Sequence, residues 1–184
     1  MPQLTTPHIR FRASFAGAMK EFEAEGRGAV GDDTSIGQDL RRWRRRWHDP
    51  AVFASYVAGL RAEADETIPM IRPGWVHCTT LWYVDGDAYL GRIAIRHSLT
   101  GWLRDQGGHI GYDVRPTARR RGHATAMLRD ALPVARGLGL AEVLVTCDHD
   151  NVASRKVIEA NGGVFEDRRG LKLRYWVATA EAKE

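Results

Sequence analysis

The chain has 184 residues, 43% hydrophobic and 27% charged, with a formal net charge of +4 at pH 7. That length buries a proper core in a single domain, and no apolar run approaches the ~20 residues of a membrane-spanning helix. Its two cysteines, Cys78 and Cys147, lack the Cys-x-x-Cys spacing of a zinc site or redox pair and are expected reduced and buried. The first thirty residues carry no basic start followed by a continuous apolar stretch, so a cytoplasmic location is expected.

Ile9 to Phe11 reads as a short strand. Ala13 to Glu25 then sets Phe15, Met19 and Phe22 at helical spacing before Gly26 and Gly28 end the helix, and Gly26 to Asp33 is a loop. From Ser35 to Trp47 a helix is predicted in which Trp43 and Trp47 share a face with Leu40, while Arg41, Arg42, Arg44, Arg45 and Arg46 point elsewhere. With a pI near 9.3 this run raises a nucleic-acid reading, but an amphipathic helix with a solvated basic side accounts for it better. Asp49 caps a further helix from Pro50 to Ala64, with proline at its first position.

Trp75 to Val84 and Ala88 to Ile95 alternate as strands around an Asp85-Gly86-Asp87 turn. His109 to Val114 is another strand, and Gly122 to Leu138 a helix with Ala124, Met127, Leu128, Ala131, Leu132, Ala135 and Leu138 on one face. Pro133 within it lacks an N–H and predicts a kink. Glu142 to Cys147 is a strand, Asn151 to Asn161 a helix, and Gly163 to Asp167 with Leu171 to Trp176 a closing hairpin. This order implies an α/β fold, a mixed twisted sheet covered by helices, with 1–74 as a helical region and 75–177 as the sheet.

The most informative run is Val114 to Thr125. Arg119, Arg120 and Arg121 precede Gly122, and the helix after it lacks a Ser, Asp or Asn cap, so cations stand where the helix dipole is already positive. A bound anion resolves that conflict: free N–H groups, a glycine allowing close approach and arginines converge on one place, a phosphate cradle.

Arg119-x-x-Gly122-x-Ala124 at a strand-to-helix turn resembles the Arg/Gln-x-x-Gly-x-Gly/Ala signature of the GNAT superfamily, the acetyl-CoA-dependent N-acyltransferases. Asn151-Val152-Ala153-Ser154, opening a helix that ends at Asn161-Gly162-Gly163, resembles the superfamily's Asn-x-x-Ala/Ser helix closed by glycine. The similarity covers roughly Trp75 to Trp176. It is greatest to a group of bacterial predicted acetyltransferases that share the look of Ile95-Arg96-His97 and of Gly107 to Tyr112. The resemblance implies a GNAT-type, mostly antiparallel sheet flanked by helices and acetyl-CoA as cosubstrate, without a metal. It also implies pyrophosphate on the amides of Arg120, Arg121, Gly122, His123, Ala124 and Thr125, with Arg119 shaping the loop. The Val114 backbone would serve the acetyl and pantetheine portion, and Asn151 and Ser154 would hold the pantetheine arm.

Amide formation from a thioester needs an unprotonated amine, a donor for the oxyanion and release of thiolate. His109, Gly111 and Asp113 share one strand face, and Tyr112 shares the other with Val114. Tyr112 has favourable parity and His109 a suitable imidazole pKa, so both are catalytic candidates; a strand bulge would bring His109 or Asp113 round. Where the family often places a tyrosine acid, seven residues after the motif asparagine, this chain has Ile158. Cys147 reads as a core thiol rather than an acetyl carrier, and Asp148-His149-Asp150 as a loop rather than a metal site. The leading expectation is acetylation of a primary amine of a small molecule by direct attack in a ternary complex. A protein lysine or N-terminus is the alternative acceptor, and a non-catalytic acyl-CoA sensor the alternative class. Neither a membrane nor a nucleic-acid partner is expected, and a homodimer is left open.

Overall fold

The computed structural model describes residues 1–70 and 73–180, apart from the Arg45 side chain, which places that part of the arginine run outside the described residues. Seven strands form one sheet in the order β1-β2-β3-β4-β5-β7-β6. They are β1 (Gln3–Thr5), β2 (Cys78–Asp85), β3 (Ala88–Arg96), β4 (Ile110–Val114), β5 (Glu142–Asp148), β6 (Val164–Arg169) and β7 (Lys172–Ala178). The helices are α1 (Arg12–Ala24), α2 (Ser35–Trp43), α3 (Pro50–Ala62), α4 (His123–Gly137) and α5 (Val152–Glu159). Adjacent strands run antiparallel except β4 and β5, which are parallel. The α/β class and the mostly antiparallel, helix-flanked sheet are as expected.

Side chains alternate across the sheet and divide the core in two. Trp82 and Val84 of β2 face α1, α2 and α3, where Phe11, Phe15, Phe22, Phe53 and Tyr89 make an aromatic cluster with Phe15 stacked 5.0 Å from Trp82. Leu81 and Tyr83 face the other way, with Ile93, Ile95 and Ile110, onto the α4 stripe of Met127, Leu128, Ala131 and Ala135. Each large apolar side chain so buried stabilises the fold by about 1.5–3 kcal/mol.

Several expectations are corrected. Ile9–Phe11 is a 3-10 turn that buries Phe11, and the strand lies earlier, where Gln3–Thr5 pairs with Trp82, Tyr83 and Val84. The segment read as helical therefore adds an edge strand to the sheet. The Trp/Arg helix stops at Trp43, and with φ of 43° at Arg44 the chain continues as a 3-10 helix, Arg44–His48, which turns Trp47 onto Phe15. As read, Pro133 lies inside α4, which continues to Gly137. A π-helical turn, Leu103–Gly107, precedes β4 where no element was predicted.

The feature that positions the site is the junction of β4 and β5. Among the described residues the two strands pair only at Ile110 opposite Val145. His109 locks this point: its N–H donates to Leu144 O at 2.7 Å, and its Nδ1 accepts the Leu144 N–H at 2.9 Å. Gly108, at φ 63°, lets the chains approach, since a Cβ there would lie 2.5 Å from Leu144 O. Beyond the lock the strands separate.

Candidate active site

The loop from β4 to α4 is held from α1. Glu21 and Glu25, one helical turn apart, face it. Glu21 accepts from Arg115 Nε at 2.8 Å and from the Thr117 hydroxyl at 2.9 Å, and Glu25 takes both terminal nitrogens of Arg119 at 2.7 and 2.8 Å. Burial pushes the Glu21 carboxyl up, but the bonds from Arg115 and Thr117 outweigh it and hold it below the usual value. Arg119 Nε also donates to Val114 O at 3.1 Å, folding the loop back on its strand.

After Arg119 the backbone turns twice through the left-handed region, at Arg120 (φ 62°) and Gly122 (φ 79°). Helix α4 begins without a side-chain cap. From Arg120 to Thr125, through Arg121, Gly122, His123 and Ala124, no backbone N–H finds an acceptor among the described residues. A Cβ on Gly122 would meet nothing within 4 Å, so open space lies over these amides. Successive free N–H groups at a helix start, beside the exposed Arg120 and Arg121, are the kind of arrangement that favours an anion. Asn161 Nδ2 donates to Thr125 O at 3.3 Å and so ties the first turn of α4 to the end of α5.

Beside this receptor lies the gap between β4 and β5. Arg115 N donates to Leu90 O and Arg96 N to His109 O, which directs the backbone groups of Gly111 and Asp113 towards β3 and those of Tyr112 and Val114 towards the gap. Asn151 caps α5 by accepting the Ser154 N–H at 3.0 Å. Ser154 Oγ meets the Tyr112 hydroxyl at 2.7 Å across the gap. Burial pushes the Tyr112 phenol up to about 12, so it stays protonated at neutral pH. Cys147 is buried nearby with its thiol pushed up by burial and by Asp148, and Ile158 is wholly buried in the core.

The other face of β4 belongs to Gly111 and Asp113, on the side of α1, α2 and α3. The parity expected to favour Tyr112 on the acceptor side is therefore reversed, because Tyr112 packs with the α4 core. No bulge interrupts the β3–β4 register; the irregularity lies between β2 and β3, at Tyr83 and Val84. Arg27 Nη1 and Nη2 reach Asp113 Oδ1 at 3.1 and 3.2 Å. Behind them Arg92 pairs with Asp39 at 2.7 Å, and Tyr56 donates to the same carboxylate at 2.8 Å. A cavity of about 320 Å³ opens on Asp39, lined by Trp43, Tyr56, Trp75 and Met70.

His109 is 7% exposed, and burial, then Arg104 and Arg96, lower its pKa to about 4. Its Nδ1 lone pair is occupied by the Leu144 N–H, so the neutral ring carries its proton on Nε2 and has no lone pair left for a substrate proton. His97 is likewise engaged at both nitrogens, by Glu66 at 2.7 Å and Thr79 at 2.8 Å. Sequence reasoning missed Arg27, Glu21 and Glu25; the i, i+4 spacing of the two glutamates was the available signal.

A family model described as an acetyltransferase (GNAT) domain matches residues 35–164. Among solved structures, Mycobacterium smegmatis RimJ in complex with a CoA disulfide superposes with a TM-score of 0.66 at 18% identity, covering 96% of this chain and 81% of that one. The microcin C7 self-immunity acetyltransferase MccE, in complex with acetyl-CoA and AMP, gives 0.65 at 10% identity over 96% and 92% of the two chains. RimL, the ribosomal L7/L12 alpha-N-protein acetyltransferase, in complex with coenzyme A, gives 0.62 at 11% identity over 96% and 93%. At these identities the likeness is one of fold, and no curated protein matches the chain in sequence. With the family model spanning well over half of its length, the chain belongs to the GNAT acetyltransferases, acyltransferases whose acetyl donor is acetyl-CoA.

Proposed function

We propose that this chain is an N-acetyltransferase that moves the acetyl group of acetyl-CoA to a primary amine of a small molecule, by direct attack in a ternary complex. The observation that carries the reading is the run of unpartnered amides from Arg120 to Thr125 opening onto the β4–β5 gap. The pyrophosphate lies on those amides, with Arg119 holding the loop and Arg120 and Arg121 adding charge. The pantetheine arm enters the gap, where Val114 and Tyr112 offer backbone groups and Asn151 and Ser154 bound the far side. The amine arrives from the opposite face, over Gly111 and Asp113.

Asp113 Oδ1 is held by Arg27, which leaves Oδ2 to take the amine's proton through water. The amine nitrogen then bonds to the carbonyl carbon, the C–S bond breaks and CoA leaves as thiolate. Tyr112 stays protonated and offers a hydrogen bond to the leaving sulfur. A thiol pKa of about 8.5 makes that support sufficient without full proton transfer. His109 acts as the lock between β4 and β5 rather than as a base.

The cavity on Asp39 supports a small acceptor, being of the size that small ligands fill. A protein N-terminus is the second reading, favoured by the exposed Ile68 and Trp102. The test is release of CoA thiol with a panel of small amines and of peptides, run also on Cys147→Ala. Turnover of a small-amine class, retained in that variant, is expected. Turnover of peptides alone selects the second reading, and an acetyl-enzyme mass that requires Cys147 overturns direct transfer.

A further inference from the structure

The arginines on the acceptor face of the sheet are not alike. Arg92 and Arg174 are deeply buried and each has a carboxylate: Asp39 at 2.7 Å for the first, Asp167 at 2.6 Å and Glu166 at 2.5 Å for the second. Arg96, at the end of β3 opposite Cys78, has no carboxylate partner among the described residues. Its Nη1 donates to the carbonyls of Gly107 and Gly108, both at 3.1 Å, which fixes the guanidinium in place without neutralising it. Burial lowers its pKa, and the like charge of Arg92 adds to that effect. A positioned cation withdrawn from water and lacking a counter-charge is a receptor for an anion.

What lies over it is open. The guanidinium rests against Gly111 of β4, where a Cβ would stand 3.8 Å from both Nη1 and Nη2 and meet no other atom within 4 Å. A side chain at this position would pack on the guanidinium; glycine leaves that side of it free of one. Gly111 adjoins Tyr112 and lies two residues before Asp113, in the strand that separates the donor and acceptor sides. Two carboxylates of this region are already engaged, Asp113 by Arg27 and Glu66 by His97.

We infer that Arg96 binds an oxyanion carried by the acceptor close to its amine, so that the substrate class is anionic primary amines rather than simple ones. This deepens the acceptor-side reading above and rests on it. A carboxylate and a phosphate monoester both match the guanidinium fork, and matched substrates separate them.

The experiment measures CoA thiol release by the full chain on pairs of amines that differ in one anion: phenethylamine and phenylalanine, putrescine and ornithine, ethanolamine and ethanolamine phosphate. The expected result is a kcat/KM at least about tenfold higher for the anionic member of one or more pairs, about 1.4 kcal/mol. The first two pairs report a carboxylate and the third a phosphate. Arg96→Met should bring the members of the preferred pair within about twofold, chiefly through KM, and Arg96→Lys should restore part of the difference. Should Arg96→Met fail to fold, Gly111→Ala keeps the charge and its loop contacts but covers the guanidinium, and should erase the preference in the same way. Equal use of both members, a preference that survives these variants, or no turnover of any anionic amine by an enzyme that binds acetyl-CoA each overturns the inference. Failure of the wild-type chain to bind acetyl-CoA, by calorimetry, would instead remove the donor-site reading on which it stands.

Discussion

The two sides of β4 present different kinds of group. The side facing α4 and α5 offers main chain: unpartnered amides at the start of α4 and backbone groups turned into the gap beside β5. On the side facing α1, α2 and α3 the groups are side chains in ion pairs from distant segments, Arg27 with Asp113 and Asp39 with Arg92. Backbone recognition suits a ligand that is the same throughout a family, because it survives sequence change. Side-chain recognition suits the partner that differs, because one substitution alters it.

Four measurements would break or sharpen that contrast. The largest effect is expected from Gly122→Glu, which puts a carboxylate into the amide concavity at a φ of 79°. Acetyl-CoA affinity in calorimetry should fall by more than about 100-fold while the left-handed backbone lowers the melting temperature by only a few degrees; unchanged affinity would show that the amides are not the donor site.

His109, at the fork between the two sides, comes next. Its folded pKa of about 4 lies below the ordinary imidazole value, so the unfolded chain binds the proton first as pH falls. The stability from the neutral ring is full above about pH 6.5 and is lost progressively towards pH 4, with a ceiling of ~3 kcal/mol. Denaturant melts of the wild type and of His109→Gln should diverge above pH 6.5 and converge near pH 4. A loss of kcat at pH 8 in that variant, with stability intact, would return His109 to the chemistry.

Tyr112→Phe removes the hydroxyl shared with Ser154 and should lower kcat about tenfold, with acetyl-CoA affinity held within about twofold. If affinity falls and kcat does not, Tyr112 belongs to binding alone. The smallest effect is expected from Glu25→Gln. It frees Arg119 from a half-exposed pair worth at most about 1 kcal/mol, and should raise the KM for acetyl-CoA a few-fold without touching acceptor preference. A shift in acceptor preference instead would mean that the two sides are coupled through α1.

The donor side was legible because its signals are local. The uncapped start of α4, the glycine that allows close approach and the apolar stripe from Met127 to Ala135 all depend on residues within a few positions of one another. The acceptor side was not, since Asp113 meets Arg27 across 86 residues and Arg92 meets Asp39 across 53. His109 shows the limit most plainly: its type suggested a base, but a neighbouring strand's N–H occupies the nitrogen that would serve.

By itself, then, the chain's order of residues determined most of the long helices and strands, the apolar face of α4, and where backbone amides are left free at a helix start. Those are matters of periodicity, capping and dihedral freedom, settled over a few residues. Tertiary structure alone decided that β4 and β5 part after Ile110, that Tyr112 turns to Ser154 while Asp113 turns to Arg27, and that Arg96, against Gly111, has no counter-charge among the described residues. Charge pairing and strand separation are properties of groups brought together through space, and they exist only once the sheet has closed around them.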